Sequence, residues 1–177
     1  MPTRTTSGRK RWRDGVGDYV PDLVYGANDG IVTTLVVIAS VAGAALGPSA
    51  ILILGFANLV ADGFSMGTSN VLSIRSRLTV ATRPSLRQAS RNGMVTFAAF
   101  VVAGLLPLAA YLLPFPADTR FPIACTTAAV ALFVIGACRS LFSDRPWFRA
   151  GLEMLALGAI ASVVAYAVGA AAAMLVA

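Results

Sequence analysis

Long apolar stretches separated by short polar ones dominate the hydrophobic pattern of this chain. Five windows reach the roughly 20 residues that a helix needs to cross a bilayer: 22–46, 50–74, 93–114, 121–143 and 150–175. A helix satisfies its backbone hydrogen bonds internally, as a segment in hydrocarbon requires. The pattern therefore predicts an all-α fold, a polytopic membrane bundle of five transmembrane helices.

Little of the chain remains outside these windows. Residues 1–20 are polar and basic and are predicted to form a cytoplasmic tail, and residues 21–177 are predicted to form one transmembrane domain. The turn Gly47-Pro48-Ser49 is very short. Spans one and two are therefore expected to form an antiparallel hairpin.

The composition agrees with an integral membrane protein. Hydrophobic residues make up 57% of the chain and charged residues 12%, against about 25% charged in a typical soluble domain. Of the 14 basic residues, only Arg120 lies on the side opposite the N-terminus, so the positive-inside rule places the N-terminus in the cytoplasm and the C-terminus outside. The net charge of +6 thus follows from topology and does not indicate nucleic acid binding. The Arg- and Ala-rich usage favours a bacterial inner membrane.

The connection between spans two and three is strongly basic. It carries five arginines and no acid from Arg75 to Asn92. Arg83, Arg87 and Arg91 recur every four residues, which fits a short amphipathic helix on anionic headgroups. A solvated positive-inside loop fits equally well.

Two acidic residues lie well inside the predicted spans. Asp29 shares a helix face with Asp22, and Asp62 shares one with Asn58 and Met66. A charge at the centre of a membrane helix costs about 2.5–3.5 kcal/mol even on insertion scales, so an ionisable residue there indicates a functional site. These faces predict a path for a cation.

The residue types narrow the chemistry of that path. Carboxylate and amide oxygens suit any hard divalent ion, while the Met66 thioether favours first-row transition metals. The chain contains no histidine, which excludes Ser–His and Cys–His hydrolases. A buried carboxyl group without its cation holds a proton, so metal binding would expel that proton. Proton antiport is therefore the expected coupling.

One chain offers few ligands, and a second copy would complete the set. Two copies facing each other across a twofold axis, the commonest arrangement, would bring two sets of ligands together. Gly26 and Gly30 flank Asp29 on the N- and C-terminal sides, and such small residues allow another backbone to approach closely. A C2 homodimer with this approach is expected.

Glu153 lies near the start of span five, just after Arg149. This position is close to the predicted cytoplasmic interface, where a carboxylate costs far less than at the midplane. An ion pair with a nearby arginine explains it most simply. A metal ligand at the mouth of the path is the alternative.

Two segments resemble the signature segments of the vacuolar iron transporter (VIT) family: DLVYGANDGIVTT (22–34) and ADGFSMGTSNVLSIRS (61–76). The stretches 98–113 and 151–169 are similar to later spans of that family. The resemblance implies a homodimer of five-span chains that exports Fe²⁺, and often Mn²⁺, from the cytoplasm in exchange for protons. It implies that Asp29 and Met66 line the path between the two subunits and that Asp22 lies nearer the cytoplasmic mouth. The predicted metal-contacting residues are thus Asp29, Met66, Asp62, Asn58, Asp22 and Glu153, with no permanently bound cofactor.

The chain departs from many members of that family in one connection. Those members insert a soluble, Glu-rich, metal-collecting domain between spans two and three, where this chain has only the arginine-rich residues 75–91. It therefore resembles the shorter branch of the family, as in nodulin-like plant members and some bacterial ones.

Two other classes of protein use similar residues. A structural or assembly protein would use the polar faces only to hold helices together, and it predicts that Asp29→Asn changes nothing. An intramembrane aspartyl protease would use Asp29 and Asp62 as a dyad, but the sequence GAND at Asp29 lacks a GxGD-type motif. A transporter, and not an enzyme, is the favoured class.

Overall fold

The structure is a computed structural model that describes residues 19–76, 85–140 and 146–176. Within these ranges the chain forms helices and no strand: α1 (Val20–Gly43), α2 (Pro48–Ser76), α3 (Leu86–Leu112), α4 (Ala117–Arg139) and α5 (Trp147–Val176). All five helices are long and apolar enough to cross a membrane. The predicted all-α fold with five membrane-length helices is confirmed. Most of the predicted N-terminal tail, residues 1–18, lies outside the described residues.

The third helix begins at Leu86, before the predicted start at residue 93. The Ser85 side chain caps it by accepting a hydrogen bond of 3.2 Å from the Gln88 backbone N–H. Arg87 and Arg91 therefore lie on the first two turns of α3 and not on a separate amphipathic helix, and Arg83 lies outside the described residues. A window of apolar residues misses these turns because they are polar.

Helix α1 is the centre of the bundle and contacts all four other helices, most extensively α3. The fully buried Ile31 and Ile38 of α1 and Phe100 of α3 belong to the hydrophobic core. Helix α2 contacts only α1 and α3, and α5 contacts only α1 and α4. Helices α1 and α2 do follow each other through a short turn, as predicted, but α3 and not α2 is the main partner of α1.

The glycines beside Asp29 pack inside the subunit. A Cβ atom at Gly26 would lie 2.5 Å from the Thr96 carbonyl oxygen of α3, and one at Gly30 would overlap the Phe100 carbonyl group of the same helix. The expectation that these glycines allow a second copy to approach is therefore wrong. Their lack of a side chain brings α3 against α1 and fixes the face of α1 that Asp29 occupies.

Candidate functional site

Helices α1 and α2 place their acidic and amide residues at matching levels. The Asn70 side-chain amide of α2 donates a hydrogen bond of 2.9 Å to Asp22 of α1. Asp29 lies seven residues after Asp22 on α1 and Asp62 lies eight residues before Asn70 on α2, so these antiparallel helices carry the two carboxylates at a similar level. The two predicted polar faces therefore face one another within a single subunit.

An open cleft of about 510 Å³ lies between the same two helices. Its walls include Asp22 and Tyr25 of α1 and Ser65, Met66 and Ser69 of α2. Met66 is half-buried in this wall. The structure thus brings the predicted thioether and the predicted mouth carboxylate together in one cavity that is open to the surroundings.

Asp29 and Asp62 are each half-buried inside helices long enough to cross a membrane. A charged carboxylate that is removed from water needs a partner. Asn58 lies one helical turn beyond Asp62, towards the end of the bundle at which α2 begins. Its side-chain Nδ2 is buried and has no hydrogen-bond partner among the described residues; the same is true of the Thr34 hydroxyl of α1. Polar groups therefore continue past the acidic pair rather than stopping at it.

Asp22 has a more complete set of partners than the sequence suggested. Its Oδ1 accepts from Asn70, and its Oδ2 accepts a hydrogen bond of 2.6 Å from the Asn92 side chain of α3. Asn70 also donates to the Thr96 hydroxyl at 2.7 Å. The carboxylate thus joins three helices by charge-assisted hydrogen bonds.

Sequence reasoning missed Asn92 and Thr96 as part of this site. Asn92 was placed at the end of a basic connection and Thr96 in an otherwise apolar span. The only available signal was their spacing of four residues on one helix face, which also carries Gln88.

The same helix face also contacts the residue before α1. Gln88 donates to the Tyr19 hydroxyl at 3.2 Å, and the Arg91 guanidinium lies 5.7 Å from the centre of the Tyr19 ring. These contacts tie the start of α1 to α3.

Glu153 is exposed on α5. Its helix contacts α1, which carries Asp22 and Asp29, but not α2, which carries Asp62 and Met66. Within the described ranges, no three Asp, Glu, His or Cys side chains converge as a metal site would require. One subunit therefore provides two facing carboxylates, a thioether and neighbouring amides, which is a partial ligand set for a divalent cation.

The fold and the site together define a polytopic membrane protein with acidic and sulfur groups inside its spans, an arrangement typical of membrane transporters of cations. The profile of the VIT family matches residues 20–84 and 74–170. The chain therefore belongs to the VIT family.

Curated relatives agree with this assignment. The chain is 26% identical to a vacuolar iron transporter of Toxoplasma gondii, over 86% of this chain and 74% of that protein. It is 26% identical to vacuolar iron transporter homolog 2 of Oryza sativa subsp. japonica, over 82% of this chain and 86% of that protein. It is 20% identical to a vacuolar iron transporter of Plasmodium falciparum, over 86% and 81%. These relatives are transporters and not enzymes, which leaves the protease interpretation of Asp29 and Asp62 without support.

The lengths of these matches differ. The Toxoplasma and Plasmodium matches extend over 222 residues, whereas this whole chain has 177. The rice match extends over 162 residues. The matched region is thus longer in the Toxoplasma and Plasmodium relatives than in this chain.

Proposed function

We propose that this protein transports Fe²⁺ across a membrane, along a path that Asp29, Asp62 and Met66 line. The observation that carries the proposal is that Asp29 of α1 and Asp62 of α2 lie at a similar level, further along the same two helices whose cleft contains Met66. The names of the relatives give the metal. Mn²⁺ is proposed as a second substrate because it accepts the same oxygen ligands.

Each ligand type has a separate role in this path. The carboxylates of Asp29 and Asp62 compensate the charge of the ion, and the Asn58 amide supplies a neutral oxygen beyond them. The Met66 thioether discriminates against Mg²⁺ and Ca²⁺, which prefer oxygen. Asp22 attracts the ion at the mouth while Asn70 and Asn92 hold its oxygens. Glu153, which is exposed on α5, is proposed to form an ion pair with a nearby arginine and not to line the path.

Coupling to protons and assembly as a dimer complete the proposal. With the N-terminus in the cytoplasm, the arginine-rich ends of the helices face inwards, and export from the cytoplasm in exchange for protons follows from the family resemblance. A second copy on the exposed side of the cleft would double the ligand set.

The proposed location is a bacterial inner membrane, on the basis of composition. The three relatives named for this chain are, in contrast, from eukaryotes.

Metal flux through the purified protein in proteoliposomes tests these statements. Fe²⁺, Mn²⁺ and Mg²⁺ are offered in turn, with and without a pH gradient. Wild type is expected to move Fe²⁺ and Mn²⁺ faster when protons can flow in the opposite direction. Met66→Leu is expected to narrow the preference for Fe²⁺ over Mg²⁺, since it removes the only sulfur ligand proposed here. Flux that ignores the pH gradient would exclude antiport without excluding transport.

A further inference from the structure

A second cavity lies at the start of α1, next to the cleft. It is a groove of about 460 Å³ between the first half of α1 and the first half of α5. Its walls include Val20 and Val24 of α1 and Met154 and Leu157 of α5, with Asn28 deeper in α1 and Arg139 from the end of α4. Pro21 and Tyr25 line both cavities, whereas the six residues just named line the groove and not the cleft.

The lining of the groove is suited to an amphipathic ligand. Most of its wall is apolar, and among the described residues Arg139 is the only charged one that lines it. Among the described residues, neither Arg139 nor Asn28 makes a hydrogen bond or an ion pair through its side chain. A cation would be repelled by Arg139, whereas an anion attached to a hydrocarbon chain would satisfy both parts of the groove.

The position of the groove places its charged end at the membrane surface. Arg139 ends α4, and the exposed Trp147 and Phe148 begin α5 at the same end of the bundle. Both rings pack edge-to-face on Phe133 of α4, with centroids 6.2 and 5.9 Å apart. Aromatic clusters of this kind mark the headgroup level. The apolar residues of α1 and α5 then extend from this level towards the bilayer interior.

We infer that this groove binds one anionic phospholipid. Its phosphate lies against the Arg139 guanidinium, and one acyl chain lies along Val24, Met154 and Leu157. Charge complementarity selects this occupant over a zwitterionic lipid, because the single cation of the groove has no acidic neighbour in its wall.

Native mass spectrometry of the full-length protein tests the inference. Dioleoyl phosphatidylglycerol, dioleoyl phosphatidylcholine and glycerol 3-phosphate are added separately, and the apparent Kd of each is measured. The wild type is expected to bind phosphatidylglycerol most tightly and glycerol 3-phosphate not at all, since the headgroup alone leaves the apolar walls exposed. Arg139→Gln is expected to weaken phosphatidylglycerol binding about fivefold and to weaken phosphatidylcholine binding less, because the choline cation opposes the attraction of that lipid to Arg139.

Matched variants separate a specific site from general lipid coating. Arg149→Gln removes the same charge from the same end of the bundle, outside the groove, and should have little effect. Arg139→Lys should bind nearly as the wild type does, and Leu157→Trp should weaken binding of both lipids by filling the groove. Equal losses in Arg139→Gln and Arg149→Gln would overturn the inference. The inference would also be overturned if the protein were found as a dimer that binds no phospholipid, because a second copy would then occupy the groove.

Discussion

At the scale of single residues, the two acids of α1 have different surroundings. Asp22 accepts hydrogen bonds from two amides on two other helices, so its charge is already satisfied in the absence of metal. No side-chain hydrogen bond of this kind is found for Asp29 among the described residues, and Asp62 lies at a similar level on the neighbouring helix. In the proposed path, Asp29 and Asp62 therefore bind the ion, and Asp22 holds the mouth of the path together.

The hydrogen bond from Asn92 to Asp22 is expected to stabilise the folded protein. Asn92→Ala removes a charge-assisted bond that is partly buried and should lower the free energy of unfolding by about 1 kcal/mol. Thermal unfolding in detergent measures this loss. Gln88→Ala is the matched control on the same helix, because its bonds of 3.2 and 3.3 Å involve no carboxylate. Equal melting temperatures for Asn92→Ala and wild type would contradict the structural role of Asp22.

At the scale of elements, the packing of α1 on α3 determines where the site lies. Apolar length is visible in a sequence, so the number and approximate bounds of the helices could be predicted. The partner of each helix could not, because a Gly-xxx-Gly pair shows that another backbone approaches but not which one. Gly26 and Gly30 contact α3 of the same subunit. The start of α3 at Leu86 was also not predicted, because its first turns are polar and lie before the apolar window that begins at residue 93.

A side chain at Gly30 should separate α1 from α3. Gly30→Ala places a Cβ atom against the backbone of Phe100, which cannot move without shifting the helix, and overpacking of this kind costs about 1–3 kcal/mol. The melting temperature in detergent should fall accordingly. Gly47→Ala is the control, since a Cβ atom there has its nearest neighbour at 3.8 Å in an open turn. A fall of the same size in both variants would show that the close approach at Gly30 is not what stabilises the pair.

At the scale of the whole molecule, one subunit has a partial ligand set and an exposed cleft. Ser65 and Ser69 are polar and exposed on α2, where a lone helix in lipid would favour apolar residues. The sequence allowed the polar faces of α1 and α2 to be recognised, because each contains a buried acid, but it did not show that they pair within one subunit. The contribution of α3 through Asn92 depends on tertiary contacts that no spacing along the chain encodes.

Assembly across the cleft predicts a specific cross-link. In a background with Cys125 and Cys138 replaced by serine, Ser65→Cys should be cross-linked to a second copy by a short bismaleimide in liposomes. Val163→Cys, which is 69% exposed on α5 and far from the cleft, should stay monomeric under the same conditions. Electrophoresis reads out the result. A cross-link at Val163 and none at Ser65 would place the dimer interface on the wrong side of the bundle for a shared metal site.

The most direct test of the central claim is Fe²⁺ flux into proteoliposomes with wild type, Asp29→Asn and Asp118→Asn compared under the same pH gradient. Asp118 lies in the first turn of α4, outside the path, so its amide variant controls for the loss of one charge. The account predicts that Asp118→Asn transports as the wild type does and that Asp29→Asn transports nothing above the leak of empty liposomes. Wild-type flux through Asp29→Asn would contradict the account and would leave the buried acid as a helix-packing residue.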